Sequence, residues 1–332
     1  MMFQIKKILR IFKIETKNLI KIRNIQCGKV TLSYDSSPPY YIKEWYNYCL
    51  RLLTEAARAS EASFNIVLGE HQPRIKNGRP TYRIALQIEH TLVREGGRDS
   101  EGAEAGSIRI DDSTAETYLV RLVNLGALEA ADIILDYSRA NLINVKHSPA
   151  YVTLTKKHFY FVPLINDDAS RAIADRTHQC ITMFGNPDIG RRKKILEELA
   201  KVVPVKNING IYRGVAKVYQ STKTIINIHQ TEHHCNAEEL RIVPAALNGA
   251  IVIAERSPLT EKIFTRHFAI WASIENIPKV TAEVVKNYPE FYQKMFSEKF
   301  MNRVRRLSIR NSLAAKKIIN QLEKKSVDQR II

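Results

Sequence analysis

Cysteine is scarce and scattered in this chain of 332 residues: Cys27, Cys49, Cys180 and Cys235 lie far apart, with no pair at metal-ligand spacing. That excludes a disulfide framework and a zinc module, and it makes a reducing interior the simplest setting. Long apolar runs are missing as well. None reaches the ~18 residues a membrane span needs, so no bilayer crossing is expected. The basic N-terminus lacks both the compact apolar core and the small-residue cleavage site of a secretory signal. No unit of roughly 20 to 50 residues repeats, which argues against a solenoid. The fingerprints GxGxxG and GxxxxGK[ST] are absent too.

What is present is positive charge: 51 Lys and Arg against 34 Asp and Glu, a net +17. Taken alone that suggests a nucleic-acid binder. Its distribution weakens the suggestion. Met1 to Gly28 holds seven basic residues and one acid, and Arg303 to Ile332 holds nine basic and two acidic, which leaves +4 on the body between them. In the N-terminal segment Ile5, Ile8, Leu9, Phe12 and Leu19 share one helical face, and Lys6, Lys7, Arg10, Lys13, Lys17 and Lys21 the other, with Ile14 misplaced among the basic residues. The C-terminal segment repeats this more weakly. Such basic amphipathic helices suit an anionic membrane surface, the expected partner of both ends, with nucleic acid the rival use of the same charge. The bland alternative is a solvated helix packed on its own domain.

The length is about twice a typical domain of roughly 150 residues, and 45% hydrophobic with 26% charged residues is an ordinary globular composition. From Gly28 onward the pattern alternates between strand and helix. KVTLSY (Lys29–Tyr34) reads as a strand, and Pro38 and Pro39 delay the helix that follows until Tyr40. FNIVL, TYRIALQI, YLVRLV, DIILD and FYFVPLI read as further strands of a first half, and GGRDSEGAEAG as a mobile loop. NDDASRAIADRTHQ reads as the crossover. CITMF, TIINI and IVIA are strands of a second half, with helices at Arg191–Lys201, Val215–Gln220 and Glu238–Leu247, the last closed by Asn248 and Gly249.

The expected fold is α/β, with two Rossmann-like domains whose parallel sheets face across a cleft. The expected boundaries are a basic extension at 1–28, domains at 29–166 and 167–302, and a basic C-terminal helix at 303–332.

Parallel sheets bind ligands at the carboxyl ends of their strands, so the loops there hold the candidates. FGNPDIGRRKK offers Gly185, Asn186, Arg191 and Lys193 where a loop meets a helix start, the geometry in which backbone N–H groups and cations hold a phosphate. A solvated basic helix start is the competing reading. NIHQTEHHCNAEELR offers His229, Glu238, Glu239 and Arg241 to a ligand's hydroxyls. His229 and His233 lie four apart, but no third metal ligand is placed by spacing. Glu238 and Glu239 also favour a helix start whatever the function. Glu255 at the end of IVIA can accept two hydroxyl hydrogen bonds or cap the next helix. In the first half Glu89 and His90, as general-base candidates, and Gln87, Thr91, Asp136, Tyr137, Ser138, Arg139 and Asn141 follow strands and are expected at the cleft.

On these residues the chain resembles GT-B glycosyltransferases, particularly the group of spore-maturation glycosyltransferase-like proteins. The resemblance rests on CITMFGN opening the second half, the basic-started helix, TKTIINIHQ, EELRIVPAALNGAIVIAE, and the first-half stretches ADIILDYS and FYFVPLIND, and it spans residues 28 to 300. It implies a nucleotide-sugar donor in the second domain and a glycan or lipid-linked acceptor in the first, in a cytoplasmic setting at the inner face of a membrane. By the same resemblance Arg191 and Lys193 would meet the donor diphosphate, Arg241 and Glu255 would lie near the nucleotide-sugar, and no metal cofactor is needed. One position departs: the family usually places a ribose-holding Glu where Pro244 stands. Either Glu238 or Glu239 substitutes, or the site is altered, or the protein is a non-catalytic nucleotide- or sugar-binding relative.

Overall fold

The computed structural model describes residues 21–73, 75, 77–96, 104–109, 117–165, 176–188, 190–209 and 214–331. The helical reading of the N-terminal segment and most of the crossover lie outside them. Two Rossmann-like α/β domains are present. The first sheet has the order β1-β2-β3-β4-β8-β9, from β1 (Ile22–Cys27), β2 (Val30–Asp35), β3 (Asn65–Leu68), β4 (Thr81–Gln87), β8 (Ile133–Asp136) and β9 (His158–Tyr160). All neighbours are parallel except the β1/β2 hairpin. The second sheet is parallel throughout, in the order β11-β10-β12-β13-β14: β10 (His178–Thr182), β11 (Val205–Asn207), β12 (Thr222–Asn227), β13 (Ile251–Glu255) and β14 (Ala269–Ala272).

Strand alternation explains why the apolar run IVIA needs cover on both sides. Ile251 and Ile253 join one core with Ile195, Leu199 and Val284, while Val252 and Ala254 point into the other. That other core runs through both domains, joining Leu32, Leu53 and Ile66 of the first to Ile225, Ile242 and Val252 of the second. Helix α1 (Lys43–Ala57) buries Trp45, Cys49, Leu52 and Leu53 in it. The Tyr46 hydroxyl at its start donates to Leu68 O at 2.9 Å and accepts from Asp35 N at 2.8 Å, fixing helix to strand ends.

Several expectations need correction. Ile22–Cys27, read as the end of the basic extension, is an edge strand of the first sheet. Part of the glycine-bearing loop, Glu104–Arg109, is β6, which with β5 (Leu92–Arg94) and β7 (Thr117–Val120) makes a small antiparallel sheet; YLVRLV therefore does not enter the main sheet. FYFVPLI is strand only to Tyr160, because Pro163 has no N–H for a ladder. The other helices are α2 (Leu125–Ala130), α3 (Arg139–His147), α4 (Gly190–Ala200), α5 (Val215–Gln220), α6 (Glu239–Leu247), α7 (Ile277–Lys286), α8 (Tyr288–Met295) and α9 (Glu298–Ile331). The sequence reading did not resolve α3, β14, α7 or α8.

Helix α9 is no separate extension. It returns to the first domain and packs against α1 and β9. Its buried Asn311 mimics a strand neighbour, accepting from Val162 N at 3.0 Å and donating to Val162 O at 2.8 Å. Glu323 accepts from the amides of Glu61 and Ala62 at 2.9 and 2.8 Å.

The end of α6 forms as the sequence predicts. Gly249 takes φ +77°, and its N–H reaches Ala246 O at 2.9 Å. Buried Arg176 holds this turn by donating to Tyr219 O, Thr222 O and Asn248 O at 2.8–2.9 Å. Replacing it by Ala would strand three carbonyls, so Arg176→Ala should destabilise the chain by about 3 kcal/mol. A change in the denaturant midpoint equivalent to under about 0.5 kcal/mol would show that the clamp is dispensable.

Candidate functional site

The carboxyl ends of the two sheets face one another across a cavity of about 740 Å³. The first domain contributes Tyr40, Tyr41 and Glu44 from the loop after β2 and the start of α1, Glu89 and His90 after β4, and Tyr137 after β8. From the second come Gly185 after β10, Arg192 on α4, Asn227 to Thr231 and His233 at and after β12, and Glu238, Arg241 and Pro244 around α6. Cavities of this size, mostly preformed and with convergent polar groups, suit a small-molecule ligand.

The loop after β12 also joins the domains. Val93 of β5 bridges to His234, Arg94 N donates to His233 O at 2.9 Å, and Cys235 N donates to Leu92 O at 3.2 Å. Asn236 accepts from Leu92 N at 3.0 Å and donates to the Asn141 side-chain oxygen. Main-chain pairing of this kind fixes the loop against the first domain, because releasing it would strand buried backbone groups.

Glu238, the residue before α6, meets the first domain inside the cavity. His90 Nε2 lies 3.4 Å from its Oε2, and the Tyr137 hydroxyl donates to its Oε1 at 2.9 Å. Burial would raise this carboxyl, but His90, Arg241 and Tyr137 outweigh it and hold it well below the usual range. Burial likewise opposes a proton on His90, yet the Glu238 carboxylate prevails and raises the imidazole above its ordinary value. The two shifts agree: the pair favours imidazolium and carboxylate.

Glu239 does something else. Fully buried and outside the cavity wall, it accepts from Arg139 N at 2.7 Å, the Tyr160 hydroxyl at 2.5 Å and the Thr265 hydroxyl at 2.6 Å. Two of the three donors belong to the first domain, so this carboxylate ties α6 to α3 and β9.

Arg191 and Glu255 also lie behind the wall. Arg191 donates to Glu255 Oε1 at 2.6 Å and to Thr231 O at 3.0 Å. Glu255 also accepts from His229 N at 2.8 Å, with His229 Nδ1 at 3.4 Å. Burial opposes its ionisation, but His229 and then Arg191 bring its pKa down to about 2. Lys193 points outward, 3.9 Å from Glu197, and Asn186 is exposed outside the wall. The cation that enters the cavity from the basic run is Arg192, stacked 5.0 Å over Phe184. Burial, then repulsion from Arg241, lowers its pKa to about 10, so it stays charged at neutral pH.

The run RRKK hid this distinction. The stripe of Ile195 and Leu199 was the available signal, since helical periodicity turns Arg191 and Arg192 inward with it and Lys193 away. Sequence reasoning also missed Asn227 and Glu44.

Six buried nitrogens of wall residues have no hydrogen-bond partner among the described residues: Trp45 Nε1, His90 Nδ1, Arg192 Nε, Asn227 Nδ2, His229 Nε2 and His233 Nδ1. Buried polar atoms are nearly always paired, so a cluster of exceptions around one cavity points to a ligand. Glu44 is the reverse case, a carboxylate on the wall with no hydrogen bond or ion pair among the described residues, raised by burial alone. Among the described residues no three His, Cys, Asp or Glu side chains are grouped to hold a metal ion.

No protein-family model matches the chain, and neither does any curated protein. Among solved structures it is similar to the wall teichoic acid polymerase TagF with CDPG (11% identity, TM-score 0.37, 100% of this chain and 99% of that one). It is also similar to an α1,3-fucosyltransferase with GDP-fucose (11%, 0.32, 71% and 67%) and to the calicheamicin glycosyltransferase CalG4 (11%, 0.35, 82% and 69%). Likeness at this level assigns neither activity nor ligand.

The environment of Glu239 makes a prediction about pH. Burial dominates and raises its pKa to about 7, against 4.5 for an ordinary Glu. The folded chain therefore holds this proton where the unfolded chain has released it, so the contribution is complete below about 4.5 and is lost as pH rises to about 7. Glu239→Gln should flatten the dependence of the unfolding midpoint on pH across that window. An unchanged slope would mean that Glu239 titrates as an ordinary carboxylate.

Proposed function

We propose that the protein is a glycosyltransferase of the two-domain GT-B class, that the cavity holds a nucleoside diphosphate-sugar, and that the acceptor is a glycan or lipid-linked hydroxyl approaching from the first domain at the cytoplasmic face of a membrane. The observation that carries this is the set of six unpartnered nitrogens around a cavity that also holds the Arg192 and Arg241 guanidinium groups. Cationic, pre-oriented donors of this kind suit a diphosphate whose charge grows as it leaves. Glu44 is placed to accept hydrogen bonds from ligand hydroxyls, a task that Pro244 cannot perform.

In this reading His90 is the general base. Its Nδ1 takes the proton of the acceptor hydroxyl as that oxygen attacks the anomeric carbon, and the departing sugar–phosphate bond leaves its electron pair on the diphosphate. Glu238 orients the imidazole through Nε2 and stabilises the imidazolium that forms. Arg192 and Arg241 stabilise the leaving group, so no step calls on a metal ion. Gly185, His229 and Asn227 line the donor side. Arg191 and Glu255 set the loop that carries His229 and Thr231, and Glu239 holds α6 in place. The reading with binding and no turnover remains the rival, since Pro244 lies on the wall where the resemblance implies a carboxylate.

Calorimetry with UDP, GDP, CDP and ADP should find at least one ligand with sub-millimolar affinity. Arg192→Ala should weaken it by about tenfold or more, while Lys193→Ala leaves it unchanged. Absence of binding by all four would sink the proposal, and binding without glycosyl transfer would select the non-catalytic reading. Once a substrate pair is known, the rate should rise with pH through the raised pKa of His90, because the base must lose its proton. Glu238→Gln should move that rise to lower pH and reduce the plateau.

A further inference from the structure

Helix α9 has a second face that stays exposed among the described residues. One side packs on the body of the protein through Phe300, Val304, Leu307, Ala315, Ile318 and Leu322. On the other, Ile309, Leu313 and Val327 stay 60%, 59% and 47% exposed. At about 100° per residue these three fall within roughly 40° of one another, a single line along the helix. Single exposed apolar residues need no explanation. Here, though, three of the seven large hydrophobics exposed among the described residues share one helix face.

The borders of this line are cationic. Arg305, Arg306, Lys316, Lys317 and Lys324 are exposed on the same side, and none forms an ion pair among the described residues, although Lys317 also lies 5.9 Å over the Phe159 ring. Arg305 and Arg306 donate hydrogen bonds to Asn302. Of the nearby acids, Glu323 is engaged by the amides of Glu61 and Ala62, and Asp328 lies towards the end of the helix. Uncompensated cations flanking an apolar line match an anionic bilayer surface, where the line enters the headgroup boundary and the cations meet lipid phosphates. A nucleic acid would use the cations and leave the apolar line wet. A second copy of the chain would set like charges against each other.

We infer that this face of α9 docks the protein on an anionic lipid bilayer through Ile309, Leu313 and Val327 and the five cations beside them. The interaction does not depend on the ligand of the cleft. Its residues also differ from the apolar stripe that the sequence shows most strongly, which is spent on the first domain.

The test is sedimentation of the full chain with vesicles of phosphatidylcholine containing phosphatidylglycerol, and with vesicles of phosphatidylcholine alone. Binding is expected only to the first, falling as salt rises from about 0.1 M to about 0.5 M. The double variant Ile309→Ser, Leu313→Ser should lower the affinity by about tenfold or more. The double variant Lys316→Glu, Lys324→Glu should lower it by roughly fivefold or more for each charge. Both should melt like the wild type, because the altered side chains are exposed. Equal binding to the two vesicles overturns the inference. So does anionic binding that survives both α9 variants and disappears on charge reversal at Lys6, Lys7, Arg10 and Lys13. RNA binding without vesicle binding, or a dimer that either α9 variant dissociates without vesicle binding, would assign the face to another partner and overturn it too.

Discussion

A buried carboxylate with three donors around it, that of Glu239, holds the start of α6 against the first domain. Such a group is costly to bury and costly to strip of its partners, so the relation between α6, α3 and β9 is narrowly defined. The residue before it then has little choice of position. Glu238 meets His90 and Tyr137, and the loop running back to His233 pairs with β5 through its main chain. The cavity is what remains between these ties. Its unpartnered nitrogens come from both domains, and their convergence depends on the same anchoring. Two adjacent glutamates thus divide the work: one fixes the frame and the other sits in it beside the proposed base.

The architecture was legible in the sequence wherever one physical rule dominated. Apolar runs such as IIL before Asp136 and IVIA before Glu255 need cover on both faces, which leaves parallel strands under helices as their natural place. Asn248 followed by Gly249 marks a left-handed helix end, and Pro38 with Pro39 delays α1. The reading failed where two rules competed. FVPLI is apolar enough for a strand, but Pro163 denies it a ladder bond, and its backbone is taken up by Asn311 from α9 instead. Ile22–Cys27 breaks the strand alternation at Arg23 and Asn24 and lies on a basic segment, so neither period nor charge marked the strand.

The candidate site was legible in its loops and less so in its atoms. His90, Glu238, His229, Arg241 and Gly185 do line the cavity, because strand ends of parallel sheets place them there. Glu255 and Arg191 stand one layer behind, bonded to each other, since a carboxylate and a guanidinium at adjacent loop bases satisfy one another before any ligand arrives. Glu44, in the first turn of α1, could not be found from its local sequence. Its significance comes from the absence of a partner, a property of the folded chain and not of any local pattern.

The charge at the two ends also separates into different roles once the helix is in place. Much of α9 is structural, with its apolar stripe and Asn311 built into the first domain, and only its outer line is left for a surface. The central claim remains that the cavity between the sheets is an anion-binding donor site. A crystal structure of the chain soaked with a nucleoside diphosphate tests it most directly. The account predicts density in the cavity with the diphosphate against Arg192 and Arg241 and within reach of His229. Diphosphate bound elsewhere, with the cavity nitrogens still unpartnered, would contradict it.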